Sequence, residues 1–165
     1  MKIYRYCYKL KIYQLILLGI LFPLIFSTIV AIFYEWLGII DNTVENEELR
    51  VSIPALIAMI TIGPLLETYL FQYFPLIIVH HLCKGHKYHY HITVLLSAIV
   101  FAVIHPHEPF YFTAMLALGL TLSFTCLIFI RKNRHPVLYT SLIHAGYNCI
   151  LLIVRMFFLD FDLIK

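Results

Sequence analysis

The sequence predicts an all-α, polytopic membrane protein: a bundle of about five transmembrane helices. Three observations support this fold class. Of 165 residues, 62% are hydrophobic and 13% are charged, against about a quarter charged in a soluble domain. The mean hydropathy is +0.88, and the apolar residues are concentrated in a few long runs. Because these runs and their short connections use the whole length, residues 1–165 are expected to form one integral-membrane domain.

Five apolar segments can be drawn, at about 12–34, 53–83, 92–105, 110–130 and 137–159. A helix needs about 20 residues to cross the hydrocarbon core, which the first, fourth and fifth segments supply. The second is too long, and Gly63-Pro64 near its middle predicts a hinge. The third is short, so we expect it to begin before His91 or to run past His105.

The charged residues lie in the connections between the segments. Basic residues are concentrated near the N-terminus, at 84–87 and at 131–134, whereas the 35–50 connection is acidic. The positive-inside rule therefore places the N-terminus inside. Basic residues divided among connections do not form a nucleic-acid footprint, so the expected partner is the lipid bilayer. The four cysteines form no CxxC pair, which favours neither a disulfide framework nor a zinc knuckle.

Polar side chains interrupt three of the apolar segments. They are Glu67, His105, His144 and Asn148. A charged side chain at the centre of a spanning helix costs on the order of 2.5–3.5 kcal/mol, so such residues usually mark a functional site. At about 1.5 Å per residue from the predicted inner boundary, the three segments bring them to similar depths. We expect the four side chains to meet between the helices.

His144 and Asn148 are four residues apart and therefore project from one face of the fifth helix. Together they could grip a single oxygen atom. Equally, they could form a polar clasp between helices, worth about 0.6 kcal/mol. The spacing alone leaves both interpretations open.

Glu67 follows Gly63 and Pro64 by one helical turn, on a face that permits close backbone approach. A carboxylate held away from water suits a general base. The alternative is a structural ion pair with Arg155 or with a histidine. His105 precedes Pro106 and by itself would be interpreted as an interfacial histidine at a helix end.

At these residues the chain resembles the CPBP family, which includes CAAX proteases and bacteriocin-processing enzymes and is also called ABI. Three motifs on separate membrane helices define that family: EExxxR, FxxxH and HxxxN/D. Here they fall on residues 67–72, 101–105 and 144–148, in the same order and with similar spacing. A motif-bearing core at about 53–159 is expected.

The resemblance implies a glutamate-type intramembrane endopeptidase that hydrolyses a peptide bond of a membrane-associated protein or peptide. The resemblance also implies the roles of the residues: Glu67 and His105 would activate water, and His144 and Asn148 would form the oxyanion site. No cofactor is expected; the alternative is a zinc ion held by Glu67, His105 and His144. The implied location is the bacterial cytoplasmic membrane, and the oligomeric state is not predicted.

Two positions depart from the family pattern. The second glutamate of the first motif is Thr68 here, and the arginine is Gln72. A neutral Thr68–Gln72 hydrogen bond at four-residue spacing would replace the ion pair. Thr68, Gln72 and Phe101 are therefore taken as supporting residues.

The lost pair also favours an alternative of another class. This is a non-catalytic membrane protein that acts in bacteriocin self-immunity or as a scaffold. A third alternative is a metal or haem site built from the membrane histidines.

Overall fold

A computed structural model describes residues 2–39, 53–82, 88–105 and 109–158, with side chains for 4–39, 53–82, 88–105 and 109–154. The regular structure of these ranges is helical. In chain order the helices are α1 (Lys2–Lys9), α2 (Ile12–Trp36), α3 (Ile53–Ile60), α4 (Ile62–Glu67), a π-helical segment (Thr68–Tyr73), α5 (Phe74–Leu82), α6 (His89–Val103), α7 (Pro109–Arg131) and α8 (Pro136–Phe158).

Four stretches of the described chain are long and apolar enough to cross a membrane: Ile12–Trp36, Ile53–Leu82, Pro109–Arg131 and Pro136–Val154. Helix α6 is a shorter apolar helix beside them. The predicted all-α membrane bundle is confirmed. The predicted orientation depends largely on connections at 40–52, 83–87 and 106–108, which lie outside the described residues.

The second apolar segment is broken near the predicted hinge. The break falls at Thr61, whose φ of −121° and ψ of −75° separate α3 from α4. Pro64 accounts for this position, because its ring would clash with the carbonyl of Ile60 four residues earlier. The segment therefore runs as α3, α4, the π-helical segment and α5, with Glu67 as the last residue of α4.

The third apolar segment begins at His89, which confirms the expectation that it starts before His91. Its helix α6 ends at Val103 and does not run past His105. The amide of His105 still donates to the carbonyl of Ala102, at 3.2 Å. His105 thus stands just beyond the helix end, fixed by the last turn.

Helix α7 is the central element, packed against α2, α6, α8 and the π-helical segment. Gly119 allows its closest approach to α6, since an added Cβ would lie 3.0 Å from the Ala98 carbonyl oxygen and 3.1 Å from Cδ1 of Phe101. Helix α2 turns large apolar side chains outward, among them Leu17, Phe22 and Ile25. These outward faces are suited to hydrocarbon.

Candidate active site

Three of the four predicted polar side chains converge. Oε2 of Glu67 lies 3.5 Å from Nε2 of His105 and 3.7 Å from Nε2 of His144. These residues come from the end of α4, the end of α6 and the middle of α8, so the site joins three non-adjacent segments. The side chain of His144 is 4% exposed, against 22% for His105 and 32% for Glu67. The site is therefore closed on the His144 side and open on the other.

The position of Glu67 depends on the small residue one turn before it. A Cβ added to Gly63 would lie 3.1 Å from the carbonyl oxygen of Ala58 and 3.7 Å from Oε1 of Glu67. Glycine leaves room there for both the broken backbone and the carboxylate. The π-helical segment starts directly after Glu67, and such segments occur often at functional sites.

His105 is oriented by the backbone of its own helix. Its Nδ1 lies 2.7 Å from the carbonyl oxygen of Phe101. Because a carbonyl oxygen only accepts, Nδ1 must carry the hydrogen and donate. Nε2 is thereby turned toward Glu67.

The ring of Phe101 packs against both imidazoles and is fully buried. Its centroid lies 4.4 Å from that of His105 and 5.6 Å from that of His144, the latter edge-on at 75°. Phe101 thus sets the relative placement of the two histidines, in keeping with the supporting role expected of it.

Asn148 forms a clasp between helices. Its Nδ2 donates to the carbonyl oxygen of Met59 at 3.0 Å, which joins α8 to α3. The clasp is therefore made by Asn148 with a backbone group. His144, its neighbour one turn earlier, buries an Nδ1 that has no hydrogen-bond partner among the described residues.

The predicted hydrogen bond between Thr68 and Gln72 is wrong. Both side chains are fully buried, yet Oγ1 of Thr68 and both polar atoms of Gln72 lack a hydrogen-bond partner within the described ranges. The two residues lie in the π-helical segment, whose wider turn removes the i, i+4 register that the prediction assumed.

A pair of serines, not singled out from the sequence, ties this segment down. Oγ of Ser97 donates to the carbonyl oxygen of Phe71 at 2.5 Å and lies 2.8 Å from Oγ of Ser123. The bonds connect α6 and α7 to the π-helical segment. Small hydroxyl residues in neighbouring apolar helices are a known means of helix association, and that was the available signal.

The alternative partners of Glu67 were Arg155, whose side chain lies outside the described residues, and a histidine. Glu67 lies beside His105 and His144. Two imidazoles and a carboxylate are donors that catalytic zinc accepts. Within the described ranges, however, no group of three or more His, Cys, Asp or Glu side chains is placed to hold a metal ion. The metal-free site stays a prediction.

The fold and this cluster define an integral membrane protein with a glutamate–histidine site between its helices. The chain belongs to the family described as Rce1-like, type II CAAX prenyl endopeptidase, whose family model matches residues 49–150. The resemblance to the CPBP family is thereby confirmed, and the matched range contains all three motifs. The family is one of CAAX-type intramembrane proteases. No curated protein and no solved structure matches the chain.

Proposed function

We propose that this protein is a metal-independent, glutamate-type intramembrane endopeptidase that cleaves a membrane-associated protein or peptide. The observation that carries the proposal is the position of the Glu67 carboxylate, within 3.7 Å of Nε2 on both His105 and His144. Membership of a CAAX-type protease family supports the same reaction class.

The tautomer of His105 supports a bound water. With Nδ1 donating to the Phe101 carbonyl, neutral His105 offers only a lone pair at Nε2. The carboxylate of Glu67 is also an acceptor, so while His105 is neutral a shared donor is what joins these two acceptors, which lie 3.5 Å apart. A water molecule supplies two O–H groups and can satisfy both. The two side chains would then aim the water's oxygen at a substrate carbonyl on the open side.

In the proposed reaction Glu67 takes a proton from this water as its oxygen bonds to the scissile carbonyl carbon. The carbonyl oxygen becomes an oxyanion, and pre-placed hydrogen-bond donors there usually give the largest catalytic contribution. When the tetrahedral intermediate collapses, the carbon–nitrogen bond breaks. The proton held by Glu67 passes to the leaving amine, which balances the reaction.

His144 and Asn148 are the proposed oxyanion donors. The amide of Asn148 has two N–H groups, so it can keep its bond to the Met59 carbonyl and still donate the second hydrogen. His144 would donate from Nε2, the nitrogen that faces the site. Both residues come from α8, so one rigid helix would carry the oxyanion site.

Cleavage by proteoliposomes that contain the full chain tests the proposal. Membrane-associated peptides, with and without a prenyl group, would be offered to wild type, to His105→Ala and to His135→Ala. His135 is exposed in the α7–α8 connection and serves as the matched control. The proposal expects cleavage to be lost in His105→Ala and kept in His135→Ala, with equal insertion. Equal turnover in all three would reject it.

Metal dependence is tested in the same preparation. Activity that survives a chelator, in protein whose metal content is below one ion per chain, is the expected result. Loss of activity on chelation and recovery with zinc would replace the metal-free mechanism by the zinc alternative at Glu67, His105 and His144.

A second candidate function is non-catalytic protection against a bacteriocin. Thr68 and Gln72, which stand where the family has its Glu–Arg pair, are buried without hydrogen-bond partners within the described chain, and this favours a weakened site. Protection that persists in cells carrying Glu67→Ala would support this candidate against the protease.

We propose that the protein lies in the bacterial cytoplasmic membrane with its N-terminus on the cytoplasmic side. The basic residues of α1 and of Arg131–Arg134 support this orientation.

A further inference from the structure

At the end of α7 opposite the Glu67 site, a cavity of about 390 Å³ opens beside the N-terminal segment. It is lined by Tyr8, Leu10, Lys11, Ile12, Lys132 and Arg134. We propose that this cavity binds the phosphate headgroup of an anionic phospholipid. The proposal does not depend on the proposed proteolysis, because His144 lies ten residues after Arg134, about 15 Å along the helix.

Charge in the cavity is of one sign. Lys11, Lys132 and Arg134 line it, and no acidic residue does. The described ranges contain two carboxylates, Glu35 near the far end of α2 and Glu67 in the candidate active site. Neither lies at this end of the bundle, so the three cations have no described carboxylate to neutralise them. A phosphate would do so.

The backbone around the cavity adds to this attraction. Lys11 precedes the 25-residue helix α2, whose first-turn amides carry a partial positive charge. The carbonyls at the end of α7 do not compete for the cations, because the chain reverses there. Asn133 has a φ of 50°, its amide bonds the Ile130 carbonyl at 3.1 Å, and the amide of Arg134 bonds the Phe129 carbonyl at 3.0 Å. This is the Schellman pattern, which caps the helix without the side chains.

Two of the three cations have contacts of their own, and Nζ of Lys11 lies 5.9 Å from the ring centroid of Tyr13. Nζ of Lys132 donates to the carbonyl oxygen of Leu10 at 2.6 Å and so holds the N-terminal segment against the α7–α8 connection. That contact closes one wall of the cavity. Lys11 and Arg134 are therefore the residues to change without removing the wall.

A lipid fits the cavity better than a free anion does, because apolar surface continues from its mouth. Tyr13, Leu17 and Leu21 follow Lys11 along one face of α2, and they are 62%, 55% and 40% exposed. With the headgroup at Lys11, the acyl chains of the same lipid would lie along these side chains. Basic pockets between membrane helices are a recognised setting for anionic headgroups, and interfacial tyrosines commonly flank them.

Native mass spectrometry of the full chain, exchanged into micelles with phosphatidylglycerol or phosphatidylcholine of the same acyl chains, tests the assignment. Wild type is expected to retain phosphatidylglycerol in preference to phosphatidylcholine. The double variant Lys11→Gln/Arg134→Gln should bind phosphatidylglycerol at least about tenfold more weakly than wild type does. The double variant Arg5→Gln/Lys9→Gln loses the same charge from exposed α1 positions outside the cavity lining and should bind like wild type.

An equal loss in both double variants would overturn the proposal, since it would mean attraction by diffuse charge. No preference for phosphatidylglycerol in wild type would overturn it as well. In a final experiment, millimolar inorganic phosphate is added to compete with the bound phosphatidylglycerol. Lipid that stays bound in its presence supports a headgroup site, whereas complete displacement would assign the cavity to a free anion.

Discussion

Phe101 holds His105 in two ways: its carbonyl oxygen lies 2.7 Å from Nδ1, and its ring centroid lies 4.4 Å from the imidazole. The first contact fixes which nitrogen carries hydrogen, and the second fixes where the ring lies. Because the same phenyl ring also meets His144 edge-on, one apolar side chain positions both imidazoles. A substitution at Phe101 can remove the ring contacts while it keeps the carbonyl contact.

Phe101→Leu keeps the backbone carbonyl and removes the ring. We expect stability to fall by about 1–2 kcal/mol and turnover to fall about 10- to 100-fold, because misplaced groups lose rate steeply. Phe129→Leu is the matched control. Phe129 is equally buried, but it lies near the C-terminal end of α7, where it packs against Tyr139. Thermal unfolding and turnover are compared, and similar turnover losses in the two variants would contradict a positioning role.

Gly119→Ala should disturb the same ring from α7. The added methyl would lie 3.0 Å from the Ala98 carbonyl and 3.1 Å from Phe101, so α6 and α7 must separate slightly. We expect a destabilisation of about 1–3 kcal/mol together with reduced turnover. Gly146→Ala meets the flexible end of Ile20 and should cost less. Equal losses of turnover in Gly119→Ala and Gly146→Ala would show that Gly119 does not help to position the site.

Thr68→Val should stabilise the protein. Oγ1 of Thr68 is buried without a hydrogen-bond partner among the described residues, and removing such a hydroxyl in the same shape recovers about 1 kcal/mol. Thr125→Val is the control, because Thr125 is also buried but donates to the Thr121 carbonyl at 2.8 Å. Chemical or thermal unfolding in detergent would measure both. A lower stability for Thr68→Val than for Thr125→Val would show that the hydroxyl has a partner.

Asn148→Asp should be damaging here although the family motif accepts either residue. The carboxylate would lose both N–H groups and face the Met59 carbonyl, another acceptor. We expect a destabilisation of about 1–3 kcal/mol and a fall in turnover of about 100-fold or more, the size seen when an oxyanion donor is lost. Asn148→Ala separates the effects, because it removes the donor without adding a charge. An Asp variant more active than the Ala variant would contradict the donor role.

Much of this arrangement could be predicted from the sequence, because lipid imposes simple rules. Long apolar runs gave the spans, and the rarity of intramembrane acids and imidazoles identified Glu67, His105 and His144. The π-helical segment could not be predicted, since no propensity distinguishes it from an α-helix, and the Thr68–Gln72 bond failed for that reason. The Asn148–Met59 bond was also beyond reach, because backbone acceptors carry no sequence signal. The predicted hinge at Gly63-Pro64 lies close to the observed break at Thr61, because a proline disrupts the helical turn before it.

Turnover of purified Glu67→Gln in proteoliposomes tests the central claim most directly. The substitution keeps shape and removes the base, while Glu35→Gln, at the far end of α2, controls for the loss of one carboxylate. We predict that Glu67→Gln inserts normally and loses at least about 100-fold in turnover, as loss of a general base requires, while Glu35→Gln does not. Turnover of Glu67→Gln equal to that of wild type would contradict the account.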